Sequence, residues 1–234
     1  MPSPNDNITI KDGLSNPFKM RSKDSSVAQD GSIQTVWHLS SPYPVDYGPG
    51  GCFQLCSKSG IMAAGLAANS PIYSFRWTSV TMNAIVRRVR MQAWSLGTGF
   101  TAGLALFDIY VCRGWTVADT GGTTDTIIND NGNLRTAMPA TLLPELRHSS
   151  TAALTAGTRV KDAQPLDTMT YGITTAINTP FLATPTKLFE RLDSEHPLVL
   201  IGNEGFTIQA TVPATGTWSW WITPEWDEVP ISNY

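Results

Sequence analysis

A regular alternation of apolar and polar positions dominates the chain after its first 31 residues. In SPIYSFRWTS, Tyr73, Phe75 and Trp77 occupy every second position. In GLALFDIYVCR, apolar residues repeat at the same spacing from Ala105, and Asp108 lies between them. A period of two places the apolar residues on one face of a β-strand, which is typical of strands that cover a core. The pattern therefore predicts a series of amphipathic strands.

Glycine and proline clusters separate these strand-like runs. GNEG at 202–205 and PATG at 213–216 each predict a tight hairpin turn. No segment carries a sustained helical stripe, and the short helix that GIMAAGLAA at 60–68 could form is weakened by its internal glycines. The segment 116–136 reads as a long loop. We predict an all-β fold, an antiparallel β-sandwich or jelly-roll-like single domain over 32–234.

The first 31 residues form a different kind of segment, polar and of mixed charge. Its few apolar residues include Ile8, Ile10 and Phe18. A segment of this composition cannot bury enough apolar surface to fold by itself. We predict that residues 1–31 are an extended N-terminal arm that contacts a neighbouring subunit, with Ile8, Ile10 and Phe18 as partner-interface candidates.

Four tryptophans lie close together in TWSWWITPEW. Alternation places Trp218 and Trp220 on the core face, where a hairpin would align them with the strand Phe206–Val212. Trp221 is expected on the opposite face, and we expect Trp226 to be exposed as well. Exposed aromatic side chains suit a protein interface or the stacking of a sugar. Trp221 and Trp226 are therefore partner-interface candidates.

The basic cluster VRRVR is a second candidate for partner contacts. On a strand, Arg88 and Arg90 would share one face, and Arg87 would lie on the other face with Val89. Guanidinium groups pair with carboxylates, either within the chain or on a partner. We take Arg87, Arg88 and Arg90 as partner-interface candidates. Nucleic acid is the less favoured partner, because the formal net charge of −3 provides no basic field.

Composition narrows the class of protein further. Hydrophobic residues make up 41% of the chain, enough for a substantial core, and charged residues only 15%, which indicates that part of the surface faces other protein. We expect a soluble chain made in a cytosol, because neither a secretory signal nor an apolar run of about 18 residues is present. Of the three cysteines, Cys52 and Cys56 could pair, but free buried thiols are favoured in a reducing compartment.

Motifs for catalysis or metal binding are weak. DTG at 119–121 lacks the apolar frame of an aspartic-protease dyad and reads as a loop. NDNGN at 129–133 fails the register of a calcium-binding loop, since the first and twelfth positions would be isoleucine and methionine. Cys52 and Cys56 have no second pair to complete a zinc site. We therefore expect no enzyme activity, no cofactor and no metal.

Five segments of the strand-rich region carry a more specific signal. They are SGIMAAGLAANSPIYSFRWTS, GTGFTAGLALFDIYVCRGWT, LRTAMPATLL, TAALTAGTRVKDAQPL and HPLVLIGNEGFTIQATVPATGTWSWWITPEW. Together they resemble a family of tailed-bacteriophage virion proteins over residues 60–229. The resemblance implies a structural component of the particle, a capsid decoration (cement) protein. It carries no catalytic motif to this chain.

Together these patterns lead to a functional hypothesis with one alternative. We expect a virion structural protein whose partners are the major capsid protein or other virion subunits, assembled as a homo-oligomer, with a trimer as the specific guess. The alternative is a tail or fibre module that binds a host-surface glycan through Trp221, Trp226 or Trp115. Neither hypothesis requires nucleic acid or a membrane.

Overall fold

The computed structural model describes residues 9–11, 17–19, 51–63, 66–126, 144–191 and 195–231. The chain divides into two compact units, residues 1–39 and 40–234. In the first unit an antiparallel ladder joins β1 (Thr9–Lys11) to β2 (Pro17–Lys19). Ile10 lies opposite Phe18 in this ladder, and Ile8 lies outside the described residues.

The regular secondary structure of the described part of the second unit is nearly all β, as the sequence predicted. Its strands are β3 (Cys52–Gln54), β4 (Ser57–Lys58), β5 (Met62–Ala63), β6 (Ser70–Trp77), β7 (Met82–Ser95), β8 (Gly103–Arg113), β9 (Thr123–Asp125), β10 (Pro144–His148), β11 (Val160–Lys161), β12 (Asp167–Ile173), β13 (Pro180–Glu190), β14 (Leu198–Leu200), β15 (Glu204–Thr211) and β16 (Thr217–Pro230). No helix among the described residues is long and apolar enough to cross a membrane.

The strands form two antiparallel sheets. Sheet I has the order β11-β8-β15-β6-β10-β9, and β12 also pairs with β8. Sheet II has the order β13-β7-β16-β3, with β14 on β7 and with β4 and β5 on β16. The described part of 60–68 contains no helix, in agreement with the weak helical pattern there, and β5 is followed by a turn at 68–69. The predicted long loop contains β9, and residues 127–136 of it lie outside the described residues.

The core lies between the facing surfaces of the two sheets. The rings of Phe75 in sheet I and Trp226 in sheet II meet in a T-shaped contact at a centroid distance of 5.3 Å. Phe107 of sheet I and Trp218 of sheet II make a tilted ring contact at 6.0 Å. The alternating residues Tyr73, Phe75 and Trp77 are all fully buried, so the predicted face of β6 is confirmed. Each large apolar side chain buried in this way contributes about 1.5–3 kcal/mol to folding.

The predicted hairpin at GNEG is wrong, although the turn is present. β14 pairs with β7 in sheet II, whereas β15 lies between β6 and β8 in sheet I. Asn203 has a φ of 63°, the left-handed conformation that asparagine tolerates in tight turns. The turn therefore reverses the chain while it crosses from one sheet to the other.

The second predicted hairpin, at PATG, is also a crossing between sheets. Thr215 and Gly216 have φ values of 63° and 89°, so the turn chemistry is as expected. β16, however, joins β7 in sheet II and does not pair with β15. Phe206 and Trp220 consequently reach the same core from opposite sides. Alternation predicts which face of a strand is buried, but it does not predict which sheet the strand joins.

Candidate functional site

The outer face of sheet II carries the arginines of VRRVR next to carboxylates from neighbouring strands. Arg88 donates from Nε to Glu225 Oε2 at 2.9 Å, and its Nη1 lies 3.8 Å from Glu190 Oε1. Arg87 pairs with Asp227. The intramolecular alternative is therefore confirmed for Arg87 and Arg88, and their use in a partner interface stays a prediction.

Arg90 is the third member of the cluster and has a weaker described contact. Its Nη2 lies 3.5 Å from Gln54 Oε1, the long limit of a hydrogen bond. Arg90 is half-buried on the same outer face as Arg88. It also stays a predicted partner contact.

A β-bulge changes the face on which Arg87 lies. Glu225 is opposite Arg88 and Trp226 is opposite Val86, so Arg87 is the extra residue between two pairs. Val86 and Val89 are both fully buried. An extra residue resets the alternation, because two successive side chains then stay on one side of the strand. The prediction that Arg87 shares the face of Val89 is therefore wrong.

Trp226 is a core residue, and the prediction that it is exposed is wrong. Its exposed fraction is 0%, and its ring stacks on Phe53 at a centroid distance of 5.8 Å. The cause is that β16 continues past Pro224, so the alternation that buries Trp218 and Trp220 also buries Trp226.

The position of Pro224 explains why the strand is not broken there. β4 pairs with Trp221 and Ile222, and β3 begins its pairing at Glu225. Between them, no described strand pairs with Pro224 on that side of β16. Proline lacks an N–H group, so it fits where a ladder is interrupted.

Two tryptophans lie on the outer face of sheet II, Trp221, which alternation predicted there, and Trp94. Trp221 is half-buried, with Lys58 Nζ 5.2 Å from its ring centroid. Trp94 is exposed on the adjacent strand, where it is opposite Ser219, while Gln92 is opposite Trp221. We call Trp94 and Trp221 the outer aromatic pair. Side chains at every second position of a strand share a face, so the positions of Arg88 and Arg90 predict that Trp94 also lies on the outer face of β7.

A serine, an aspartate and a histidine meet where β4 of sheet II approaches β9 and β10 of sheet I. Ser57 Oγ donates to Asp125 Oδ2 at 2.6 Å, and His148 Nδ1 lies 3.0 Å from the same oxygen. A nucleophilic triad requires the histidine between the serine and the carboxylate. Here the carboxylate of Asp125 is in the middle. The described contacts are therefore those of a hydrogen-bond network that ties one edge of sheet I to sheet II.

The three cysteines are free thiols, the state that the sequence favours over a Cys52–Cys56 bond, but Cys56 is exposed and not buried as expected. Burial, together with a hydrogen bond to Asp227, raises the pKa of the Cys52 thiol far above its usual range. Burial also raises the pKa of Cys112 to about 11. Both thiols are thus inaccessible and protonated near neutral pH, whereas Cys56 is exposed.

We expect a single fast-reacting thiol in the native protein. At about pH 8, a disulfide reagent such as Ellman's reagent should modify Cys56 quickly, because only the exposed thiol can reach the reagent. All three thiols should react after unfolding in guanidinium. The Cys56→Ser variant is the control and should remove the fast phase. Two fast thiols in the native protein would contradict this prediction.

A partly enclosed recess of about 290 Å³ lies on the outer face of sheet I. Its lining includes Arg76 from β6, Glu145 from β10, and Trp115 and Asp119 from the segment after β8. Asp119 pairs with Arg159, whose guanidinium lies 4.3 Å from the centroid of the Trp115 ring. Both side chains of the ion pair are almost completely buried, at 0% and 5% exposure.

Hydrogen bonds to the backbone hold this recess in shape. Gly157 N donates to Asp119 Oδ1 at 2.9 Å, and Arg76 Nε donates to the carbonyl of Trp115 at 2.7 Å. The DTG segment, which begins at Asp119, is therefore a loop. One buried ion pair anchors it. No local sequence pattern predicts the recess, because Asp119 and Arg159 are 40 residues apart in the chain.

One end of the sandwich exposes apolar side chains from three chain segments. Val80, between β6 and β7, is 74% exposed, and Ile201, between β14 and β15, is 51% exposed. Ile231, after β16, is 45% exposed, and its N–H donates to Thr81 O at 3.1 Å. Asn203 N donates to Trp77 O at 2.9 Å, which brings the first two segments together. We call Val80, Ile201 and Ile231 the apolar end.

The described residues contain no group of three or more His, Cys, Asp or Glu side chains arranged to hold a metal ion. Comparisons with protein-family models, with curated proteins and with solved structures found no match to this chain.

Proposed function

We propose that this protein is a structural subunit of a bacteriophage virion, and specifically a capsid decoration protein that stabilises the shell through contacts with neighbouring subunits. The observation that carries the proposal is the apolar end, three exposed aliphatic side chains on a well-packed sandwich. Exposed apolar clusters on a folded surface are typical of protein interfaces. The resemblance of residues 60–229 to virion proteins supports the same role.

The polar groups of the described surface support this proposal as well. Arg87 and Arg88 are engaged by carboxylates of the same chain, and Asp125 is engaged by Ser57 and His148. Groups engaged in this way hold the sandwich rigid. A rigid body with an apolar contact surface loses little conformational entropy when it assembles, so more of the buried interface contributes to attachment.

The experiment is attachment of the protein to purified particles, measured as copy number by quantitative mass spectrometry. A decoration protein follows the lattice symmetry of the shell, so we expect on the order of hundreds of copies per particle. The double variant Val80→Asp/Ile201→Asp should fold normally and lose attachment, because burying new carboxylates at an apolar contact is costly.

The control is Leu104→Asp at the start of β8, because the exposed fraction of Leu104, 59%, lies between those of Val80 and Ile201. This variant should attach as the unchanged protein does. A copy number of a few tens or fewer would instead favour the alternative, a tail or fibre module that binds a glycan. The outer aromatic pair would then be the exposed aromatic surface that contacts the glycan. Full attachment of Val80→Asp/Ile201→Asp would remove the role of the apolar end.

A further inference from the structure

Positive side chains outnumber negative ones on the outer face of sheet II. The described cations of this face are Lys58, Arg87, Arg88, Arg90 and Lys187, and its described carboxylates are Glu190, Glu225 and Asp227. Arg191 and Glu195, next to this face, form a pair of their own at 4.0 Å and leave the difference unchanged. The described part of the face therefore carries two positive charges in excess.

The excess is located at Arg90 and Lys58. The other three cations form the pairs Arg87–Asp227, Arg88–Glu225 and Lys187–Glu190. Among the described contacts, Arg90 reaches only the side-chain oxygen of Gln54, and Lys58 lies over the ring of Trp221. Arg90 Nε is buried, so the terminal nitrogens of its guanidinium present the charge to the surface. Neither cation has a carboxylate partner within the described structure.

Trp221 lies at the centre of these groups. Lys58 is its direct neighbour on β4, and Gln92 is its direct neighbour on β7. Arg90 and Trp94 are two residues to either side of Gln92, so both are diagonal neighbours of Trp221 on the same face. Diagonal positions of an antiparallel pair are roughly 7–8 Å apart, within reach of aromatic and long side chains. Two aromatic rings and two uncompensated cations therefore share one small area of the sheet.

This combination defines the class of ligand. Trp94 is 39% exposed and Trp221 is half-buried, so ring surface is accessible beside the charges. Aromatic side chains provide flat apolar surface, and ammonium and guanidinium groups form strong hydrogen bonds with a carboxylate. A sugar ring with one carboxylate offers both counterparts, because its C–H groups can pack on an indole while the carboxylate reaches the cations.

A polyanion is a poorer match to the same face. Single-stranded nucleic acid carries a phosphate on every residue, and its affinity depends on the neutralisation of several of them. Only two cations are uncompensated here, and Glu190 and Glu225 lie next to Arg88 on the same face. Successive phosphates would therefore approach carboxylates, whereas one carboxylate at Arg90 and Lys58 would not.

We propose that the outer face of sheet II binds an acidic sugar residue. The sugar ring packs on the outer aromatic pair, and its carboxylate accepts hydrogen bonds from Lys58 Nζ and from the terminal nitrogens of Arg90. Ligand hydroxyls occupy the polar surface between the two cations and the indole rings. The excess of charge distinguishes this ligand from a neutral sugar, which would use the aromatic rings alone.

The site is separate from the apolar end, so the proposal does not depend on attachment to a virion. Val80 immediately precedes β7, whereas Trp94 is the penultimate residue of that strand. The two features therefore lie at opposite ends of a 14-residue strand. The variant Val80→Asp/Ile201→Asp should bind the sugar as the unchanged protein does.

The test uses the full-length protein with glucuronic acid, galacturonic acid and N-acetylneuraminic acid. Glucose and galactose are the neutral controls, and a short single-stranded oligothymidylate represents nucleic acid. Saturation-transfer NMR identifies the molecules that bind, and calorimetry gives their dissociation constants. We expect saturable binding of at least one acidic sugar with a dissociation constant of about 1 mM or lower. The neutral sugars should bind about tenfold more weakly, because they lack the charged acceptor.

The matched variants are Lys58→Gln and Lys161→Gln. Each removes an exposed lysine that lies over an aromatic ring, but Lys161 lies over Tyr110 and pairs in sheet I. Lys58→Gln should weaken binding of the acidic sugar about fivefold, the upper range for one exposed ion pair. Lys161→Gln should leave the dissociation constant unchanged. Trp221→Ala tests the aromatic contact and should also weaken binding about fivefold or more.

Three results would overturn the proposal. The first is that no acidic sugar of the panel saturates the protein. The second is that Lys58→Gln and Lys161→Gln have equal affinities for the sugar that binds. The third is that the oligothymidylate binds more tightly than every sugar, which would assign the face to single-stranded nucleic acid. None of these results bears on copy number in particles, so a failure here is distinguishable from a failure of the proposed function.

Discussion

Replacing Asp119 with alanine is expected to destabilise the sandwich by about 3–5 kcal/mol, because the substitution leaves the charge of Arg159 buried and unpaired. The Arg159 side chain is 5% exposed, so water cannot take over the role of the carboxylate. The N–H of Gly157 loses its acceptor in the same step. The free energy of unfolding, measured by urea denaturation, reports the loss.

Asp162→Ala is the matched control, because it breaks an aspartate–arginine pair at the surface. The Arg113 and Asp162 side chains are 55% and 38% exposed. Exposed pairs contribute less than about 1 kcal/mol, so this substitution should change stability little. Equal losses for Asp119→Ala and Asp162→Ala would contradict the burial of the Asp119–Arg159 pair.

A double variant separates the cost of an unpaired charge from the worth of the pair. Asp119→Ala/Arg159→Met removes both charges and keeps an apolar side chain of similar length over the Trp115 ring. Replacing both members of a buried pair is often neutral, so the double variant should be more stable than Asp119→Ala alone. If the double variant is less stable than Asp119→Ala, the ion pair contributes more to the stability of the fold than the cancellation of its two buried charges.

The second large effect is expected for Trp226→Ala, which should cost about 3–5 kcal/mol in the free energy of unfolding. Trp226 packs between the sheets against Phe53 and Phe75, and its removal leaves a cavity that the rigid strands cannot fill. Chemical denaturation followed by circular dichroism measures the change. The loss should appear in the denaturation midpoint, without a large change in slope.

Trp221→Ala provides the control within the same strand. Trp221 lies on the outer face and has a cation–π contact with Lys58 at 5.2 Å, an interaction of about 0.5–1 kcal/mol at an exposed site. We therefore expect a loss of about 1 kcal/mol or less for this substitution. A larger loss for Trp221→Ala than for Trp226→Ala would reverse the assignment of the two faces of β16.

Local sequence patterns predicted some residues of the candidate sites and not others. The arginines of VRRVR were found because they are adjacent in the chain, and Trp221 was found by alternation. The recess was missed, since its charged residues come from β6, β10 and the segment after β8. The partner of Asp119 lies 40 residues away, and no periodic pattern links them.

The sequence by itself determined the class of the fold and the buried faces of several strands. Alternation is a local property, because each side chain points to the side opposite its neighbour. It therefore placed Tyr73, Phe75 and Trp77 in the core without knowledge of their partners. The same holds for the turn at Asn203, whose positive φ depends on the local backbone.

Only the tertiary structure decided how those local elements combine. It assigned β14 and β15 to different sheets, inserted a bulge at Arg87 and carried β16 past Pro224, which buries Trp226. It also brought Asp119 to Arg159 beneath a recess. These outcomes depend on which strands pair, and pairing is set by contacts between residues far apart in the chain. Side-chain alternation carries no information about such contacts, since the same buried face can be covered from either sheet.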